Sequence, residues 1–203
     1  MNQFLNRLSP SITNMIRMDH THVLSSFHQY EADSPARVKK GLADSICVAL
    51  EIHAQLEEEI FYPEMRRIAE TEFMEKSVPE HDKMRALITK LRGLQPGDKA
   101  FDSTLFELMN VVMHHVADEE TLLLPTAERV LSDRLGELGA QMTKRRLQLA
   151  APRTGEIAGS MAKSMSAGSL IVGATALLAG GYLLTRPHGW RGSIGSRVRG
   201  VRR

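Results

Sequence analysis

The stretch His53-Ala54-Gln55-Leu56-Glu57-Glu58-Glu59-Ile60-Phe61-Tyr62-Pro63 returns 62 residues later as His115-Val116-Ala117-Asp118-Glu119-Glu120-Thr121-Leu122-Leu123-Leu124-Pro125. Both copies read His-x-x-x-Glu-Glu, then a largely apolar run, then Pro ten residues after the His. An acid-His pair precedes each copy: Asp19-His20 lies 33 residues before His53, and Glu80-His81 lies 34 before His115. A unit repeated at this length predicts two helical hairpins that bury their apolar faces against each other.

Working outward, Ser9-Pro10-Ser11 has the residue types of a helix start. Ile12, Met15, Ile16, His20, Val23, Leu24 and Phe27 then recur at three- and four-residue steps, one face of a helix. Ser34-Pro35 opens a second helix, with an inward stripe of Val38, Leu42, Ile46, Leu50, His53, Glu57 and Ile60. His53 and Glu57 are four apart and therefore share a side, one turn from each other. A third helix carries His81, Met84, Leu87, Ile88 and Leu91 up to the break at Gly93, after a turn or irregular start over 71–79. A fourth, from about Asp102, presents Leu105, Leu108, Met109, Val112, His115, Glu119 and Leu122. A short amphipathic fifth helix runs from Ser132 to about Leu149. No period-two run is long enough for a strand, so the fold class is all-α, two helical hairpins packed face to face with a short fifth helix.

Composition supports a foldable domain: 42% hydrophobic and 25% charged residues, with few aromatics and 11 Met. The single Cys47 excludes an intrachain disulfide framework and a thiolate zinc site, fits a reducing compartment, and lies beside the second helix's stripe as a small core residue. No secretory signal opens the chain. The overall charge of +2 conceals an asymmetry. Residues 151–203 carry eight Lys/Arg against Glu156 alone, +7, which leaves the first 150 residues at −5. The expected organisation is a bundle over 1–150, a linker over 151–164, an apolar helix over 165–185 and an Arg-rich tail over 186–203.

Met165 to Thr185 holds no charged residue and has the length of a bilayer span. Its four glycines dilute the hydrophobicity, while Ser169/Gly173 and Ala176/Gly180 have small-x-x-x-small spacing. Trp190 and Arg186 follow where interface anchors belong. The segment reads as a transmembrane helix, with membrane lipid contact through 165–203 and the bundle on the cytoplasmic side. The Arg-rich end lacks interleaved aromatics for base stacking, so nucleic acid is not the expected partner.

A single His on an apolar stripe is more often a hydrogen-bonded core residue than a ligand. Here His20, His53, His81 and His115 occupy four stripes, one per helix, and Glu57 and Glu119 follow two of them by one turn. Buried carboxylates without a cation cost several kcal/mol each or take up protons. Four imidazoles and two carboxylates suit two metal ions, each taking two His while both Glu bridge. Nitrogen-plus-carboxylate ligation with open positions suits iron, with manganese or zinc also possible. The ferritin-like alternative uses Glu-x-x-His pairs, and none occurs here.

These residues, Asp19-His20, His53 to Pro63, Glu80-His81 and His115 to Pro125, resemble the hemerythrin-like, or HHE cation-binding, family over roughly residues 12–150. The resemblance implies an antiparallel up-down four-helix bundle around a non-haem diiron centre, with His20, His53, His81 and His115 as terminal ligands and Glu57 and Glu119 as bridges. Oxygen-carrying members have a fifth His one turn after the third-helix His, where this chain has Arg85. They also place the last bridging acid five residues after its His, which keeps Glu120 as the alternative to Glu119. His114 could compensate for the absent His, and Asp118 and Glu58 could orient ligands from behind. The implied function is binding or sensing of O2, NO, peroxide or iron. The alternatives are a peroxide-decomposing enzyme and a membrane-anchored adaptor whose metal only staples the helices.

Overall fold

Four long helices carry the histidine stripes in the computed structural model, which describes residues 9–68 and 72–164 and, within 72–76, the backbone only. They are α1 (Ile12–His28), α2 (Ala36–Leu56), α4 (Glu72–Arg92) and α5 (Phe101–Asp118). The shorter α3 (Tyr62–Arg66) and α6 (Leu124–Val130) extend α2 and α5. Two more follow, α7 (Leu135–Ala150) and α8 (Thr154–Ser164). Packing of α1 on α2, α2 on α4, α4 on α5 and α5 on α1 closes the bundle, and α7 and α8 cover its flank against α1 and α2. All described residues belong to one compact unit.

The helix starts differ in detail from the sequence expectation. Ser11, not Ser9, caps α1, its hydroxyl accepting the Asn14 N–H at 3.3 Å. Pro35 itself is the residue before α2, with no side-chain cap. Helix α4 begins at Glu72 and runs through Pro79, which stands at an exposed position. The anticipated fifth helix from Ser132 to about Leu149 is α7, which starts at Leu135 without a side-chain cap.

The larger departure follows the two His-x-x-x-Glu units. Residues Glu57–Phe61 and Glu119–Leu123 each form a π-helical turn, at matching places in the two repeats. The Tyr62 N–H reaches back to the Glu57 carbonyl, and the Leu124 N–H to that of Glu119, five residues in each case. Pro63 and Pro125 follow at the first turn of α3 and α6. A proline has no N–H to give an ordinary helical turn, and the wider turn moves each later side chain around the axis. Ile60 and Leu122, expected inward, are therefore half-buried and 43% exposed, while Phe61, Tyr62, Leu123 and Leu124 are buried.

The apolar interior is split into two clusters. Along α1, Ile12, Met15 and Ile16 belong to one and Val23 to the other, with His20 between them. Along α5, Leu105 to Val116 belong to the cluster of Val23, and Leu123 and Leu124, where the π turn passes into α6, to that of Ile12. Cys47 is buried in the cluster of Val23, as its position beside the stripe predicts, and burial pushes its thiol up to about 12.

Two parts of the expected organisation are corrected. Residues 151–164 are not a free linker: a 3₁₀ turn over Ala151–Arg153 leads into α8, which lies along α2. Gly41 permits that approach, since a Cβ there would stand 2.4 Å from the Ser164 backbone nitrogen. The second correction concerns the membrane-crossing helix. Among the described residues no helix is long and apolar enough to cross a membrane. The last described helix, α8, has 11 residues and carries Glu156 and Lys163; it rises only about 16 Å, half a bilayer core. The stretch 165–185 and the tail 186–203 lie outside the described residues.

Candidate metal centre

Each long helix delivers one imidazole to the polar layer between the two apolar clusters. His20, His53, His81, His115, Glu57 and Glu119 are all buried, none more than 4% exposed. The structure brings together all six residues singled out from the sequence. The ligating atoms of His20, His53, Glu57 and Glu119 lie within 4.8 Å of one another, and so do those of Glu57, His81 and His115. Glu57 is common to both groups, and each half of the internal repeat contributes one His pair.

The Nε2 atoms point inward. That of His53 stands 3.3 Å from Glu57 Oε2 and that of His81 3.4 Å from the same oxygen. His20 and His115 approach Glu119 Oε2 at 3.2 and 3.5 Å. These are ion-pair separations without hydrogen-bond geometry for every atom: His20 Nε2, His53 Nε2, Glu57 Oε1 and Glu119 Oε2 have no hydrogen-bond partner. Buried polar atoms left in that state cost about 1–3 kcal/mol each. A cation among them would satisfy all four at once, and imidazole nitrogen with carboxylate oxygen is a donor set for iron, manganese or zinc.

The electrostatics express the same demand. Burial alone would raise Glu57, but the electrostatic pull of the surrounding His53, His115 and His81 imidazoles holds it well below the usual carboxylate range. Burial would lower His115, yet the charges and contacts of Glu119, Glu57 and Glu80 raise it well above an ordinary imidazole. His20 is raised against its own burial by Glu119, Glu57 and Glu120. Two acids in the interior thus recruit protons onto imidazoles, and a metal ion would displace those protons.

Behind the inward nitrogens, every Nδ1 meets a carboxylate from the neighbouring helix. Glu120 holds His20 at 2.8 Å, Asp19 faces His53 at 3.5 Å, Glu58 holds His81 at 2.9 Å and Glu80 holds His115 at 3.0 Å. The four links run around the bundle, α5 to α1, α1 to α2, α2 to α4, and α4 to α5. An acid on Nδ1 fixes the imidazole tautomer and leaves Nε2 free as a ligand. Arginines anchor three of the acids: Arg17 on Glu120 at 3.1 Å, Arg85 on both Glu58 oxygens at 2.5 Å, and Arg146 on Asp19 at 2.6 Å. Arg85 thus holds the acid that orients His81. Asp118 and His114 are exposed and take no part.

Tyr62 is the residue that the repeat does not reveal, because its counterpart is Leu124. The π turn after Glu57 carries it into the cluster, fully buried. Its hydroxyl donates to Glu119 Oε1 at 2.9 Å and lies 3.3 Å from Glu57 Oε2 and 3.4 Å from His81 Nε2. Burial and the nearby Glu57 and Glu119 charges raise the phenol well above its ordinary value, which keeps it a donor.

Residues 11–127 match the family described as Hemerythrin HHE cation binding domain. A protein of Nostoc sp. named DNA nickase is 27% identical over 122 residues, 60% of this chain. The match spans only 35% of that relative's length, so its named activity belongs to a much longer protein. The crystal structure of a hemerythrin HHE cation binding domain-containing protein from Mycobacterium kansasii is similar with a TM-score of 0.61 at 19% identity. It covers 76% of this chain and 99% of its own, a likeness that shows the fold.

Proposed function

Because the chain belongs to the hemerythrin HHE cation-binding domain family, we propose that its buried cluster holds two iron ions and that the protein binds or senses a small oxidant through them. The observation that carries this reading is the set of four unpartnered buried donor atoms on His20, His53, Glu57 and Glu119, backed by a carboxylate on every Nδ1. His20 and His53 would hold one ion, His81 and His115 the other, with Glu57 and Glu119 between them. Bound iron would supply open positions and a change of oxidation state, the chemistry that takes up dioxygen, nitric oxide or peroxide.

The chain's own residues set the terms of that chemistry. Arg85 stands where oxygen-carrying relatives have a further His, and its guanidinium is committed to Glu58. The protein therefore offers one nitrogen fewer, which favours sensing or reaction over reversible carriage. Tyr62 keeps one Glu119 oxygen hydrogen-bonded and holds a proton beside both carboxylates. The apolar clusters on either side keep bulk water from the polar layer.

Metal analysis after reconstitution with iron tests the reading, with close to two ions per chain expected and a value near zero excluding it. The optical spectrum of the loaded protein under oxygen and then peroxide separates roles. A band that cycles supports binding or sensing, and steady oxygen release identifies a peroxide-consuming enzyme. An unresponsive spectrum leaves the metal as a staple between helices.

A further inference from the structure

Helix α7 lies beyond the residues matched to the family, yet one of its side chains reaches the acids behind the histidines. It runs parallel to α1 in matched steps. Gly139 lies so close to the start of α1 that a Cβ there would stand 2.0 Å from the Pro10 carbonyl oxygen. One turn on, the Thr143 hydroxyl reaches Met15 Sδ at 3.2 Å, and after a further turn Arg146 meets Asp19. Steps of four and three keep Gly139, Thr143 and Arg146 on one face of the helix.

The guanidinium takes both oxygens of Asp19, Nη1 donating to Oδ1 at 2.6 Å and Nη2 to Oδ2. Its Nε–H is left buried without a partner, an unfavourable state that comes with this placement of the fork. Asp19 needs such a hold. It faces His53 Nδ1 at 3.5 Å, the longest of the four acid–imidazole links. It also borders the half-open cleft between α1, α2, α7 and α8, from which solvent competes for its oxygens.

We propose that Arg146 is a positioning residue for the metal centre: by fixing both Asp19 oxygens it keeps one of them on His53 Nδ1 and holds Nε2 of that ring toward the cluster. The inference rests on the reading of the cluster as a metal centre. It adds that a helix outside the family-matched segment tunes one of the two ions, the one on His20 and His53. The other ion depends on His81 and His115, whose acids, Glu58 and Glu80, lie within that segment.

Competition of the full-length, zinc-loaded protein against a chelator tests the proposal. Arg146→Met keeps an apolar stem and removes the fork. One zinc ion is expected to bind about tenfold more weakly, the low end of the effect of disturbing an acid behind a ligating histidine, and the other at wild-type affinity. Arg146→Lys, a point charge that cannot span two oxygens, should show the same selective loss on a smaller scale, and it carries the test if the Met variant does not fold. In an Asp19→Asn background Arg146→Met should have no further effect, because Arg146 acts through Asp19. In the ion-free protein, imidazole nitrogen NMR signals should move for His53 and not for His81, a readout that needs no metal. Equal weakening of both ions, losses that add to those of Asp19→Asn, or an unmoved His53 signal would overturn the positioning role. Wild-type protein that takes up no zinc while its His53 signal still responds to Arg146→Met would instead count against the metal reading.

Discussion

His20 turns its Nδ1 to Glu120 Oε1 at 2.8 Å, a residue 100 positions away, and not to Asp19 beside it in the chain. Asp19 instead faces His53 on the next helix. Of the two consecutive acids in each repeat, the first enters the cluster and the second orients a histidine on another helix. Glu119 is buried, whereas the Glu120 side chain is 31% exposed and paired with Arg17 as well as His20. That division leaves Glu119 inside the cluster and Glu120 behind His20.

Replacing Glu57 by Ala should remove most of the bound metal, because Glu57 belongs to both donor groups. Glu58→Ala should keep the metals at saturation but weaken affinity about ten- to a hundredfold, the usual effect of losing an acid behind a ligating histidine. Competition with a chelator measures both. Equal losses would mean that the two acids do not divide the work in this way.

The ion-free protein should show a pH dependence of stability set by the cluster. His20 and His115 are raised above the ordinary imidazole value of 6.5 in the fold. Their contribution is fully present below 6.5 and is lost as pH rises through their folded values. Glu57 lies below its ordinary 4.5, so its contribution is present above that value and is lost as pH falls through the folded one. Maximum stability of the ion-free form is expected between these two ordinary values. Metal binding requires neutral imidazoles, so the stabilisation by metal should grow with pH. Urea midpoints with and without metal, at about pH 6 and about pH 8, check both trends. An ion-free midpoint that climbs over this interval would reverse the assignment.

Tyr62→Phe removes the hydroxyl that donates to Glu119 and leaves that oxygen unpartnered in the interior. A loss of about 1–3 kcal/mol is expected in the ion-free protein. The optical bands of the iron-loaded form should also shift, since a carboxylate in the cluster changes its hydrogen bonding. An unchanged spectrum would place the hydroxyl outside the metals' influence.

Gly41→Ala sets a Cβ against the α8 backbone at Ser164. Backbone cannot yield as a flexible side chain does, so α8 should lift from α2 at a cost of about 1–3 kcal/mol. Faster hydrogen exchange over 154–164 with unaltered metal content is the expected outcome. Unchanged exchange there would mean that the helices can part slightly without loosening.

The sequence by itself determined what depends on local periodicity. The repeat placed one histidine on each of four apolar stripes, and a four-residue step put Glu57 below His53 and Glu119 below His115 on the same helix faces. A helix fixes those relationships through its own geometry, so they can be read without a partner. Tertiary structure decided the rest. Which acid stands behind which imidazole depends on how helices neighbour one another, and no spacing within one helix reports that Asp19 serves His53 or Glu80 serves His115. The π turns break the very periodicity from which facing was read, so Ile60 and Leu122 were expected where Phe61 and Leu123 lie. They also bring in Tyr62, which has no echo in the second copy. Composition alone suggested a linker at 151–164 and a membrane helix after it. The α8 helix refutes the linker because burial against α2, made possible by the missing side chain of Gly41, is a property of two segments more than a hundred residues apart.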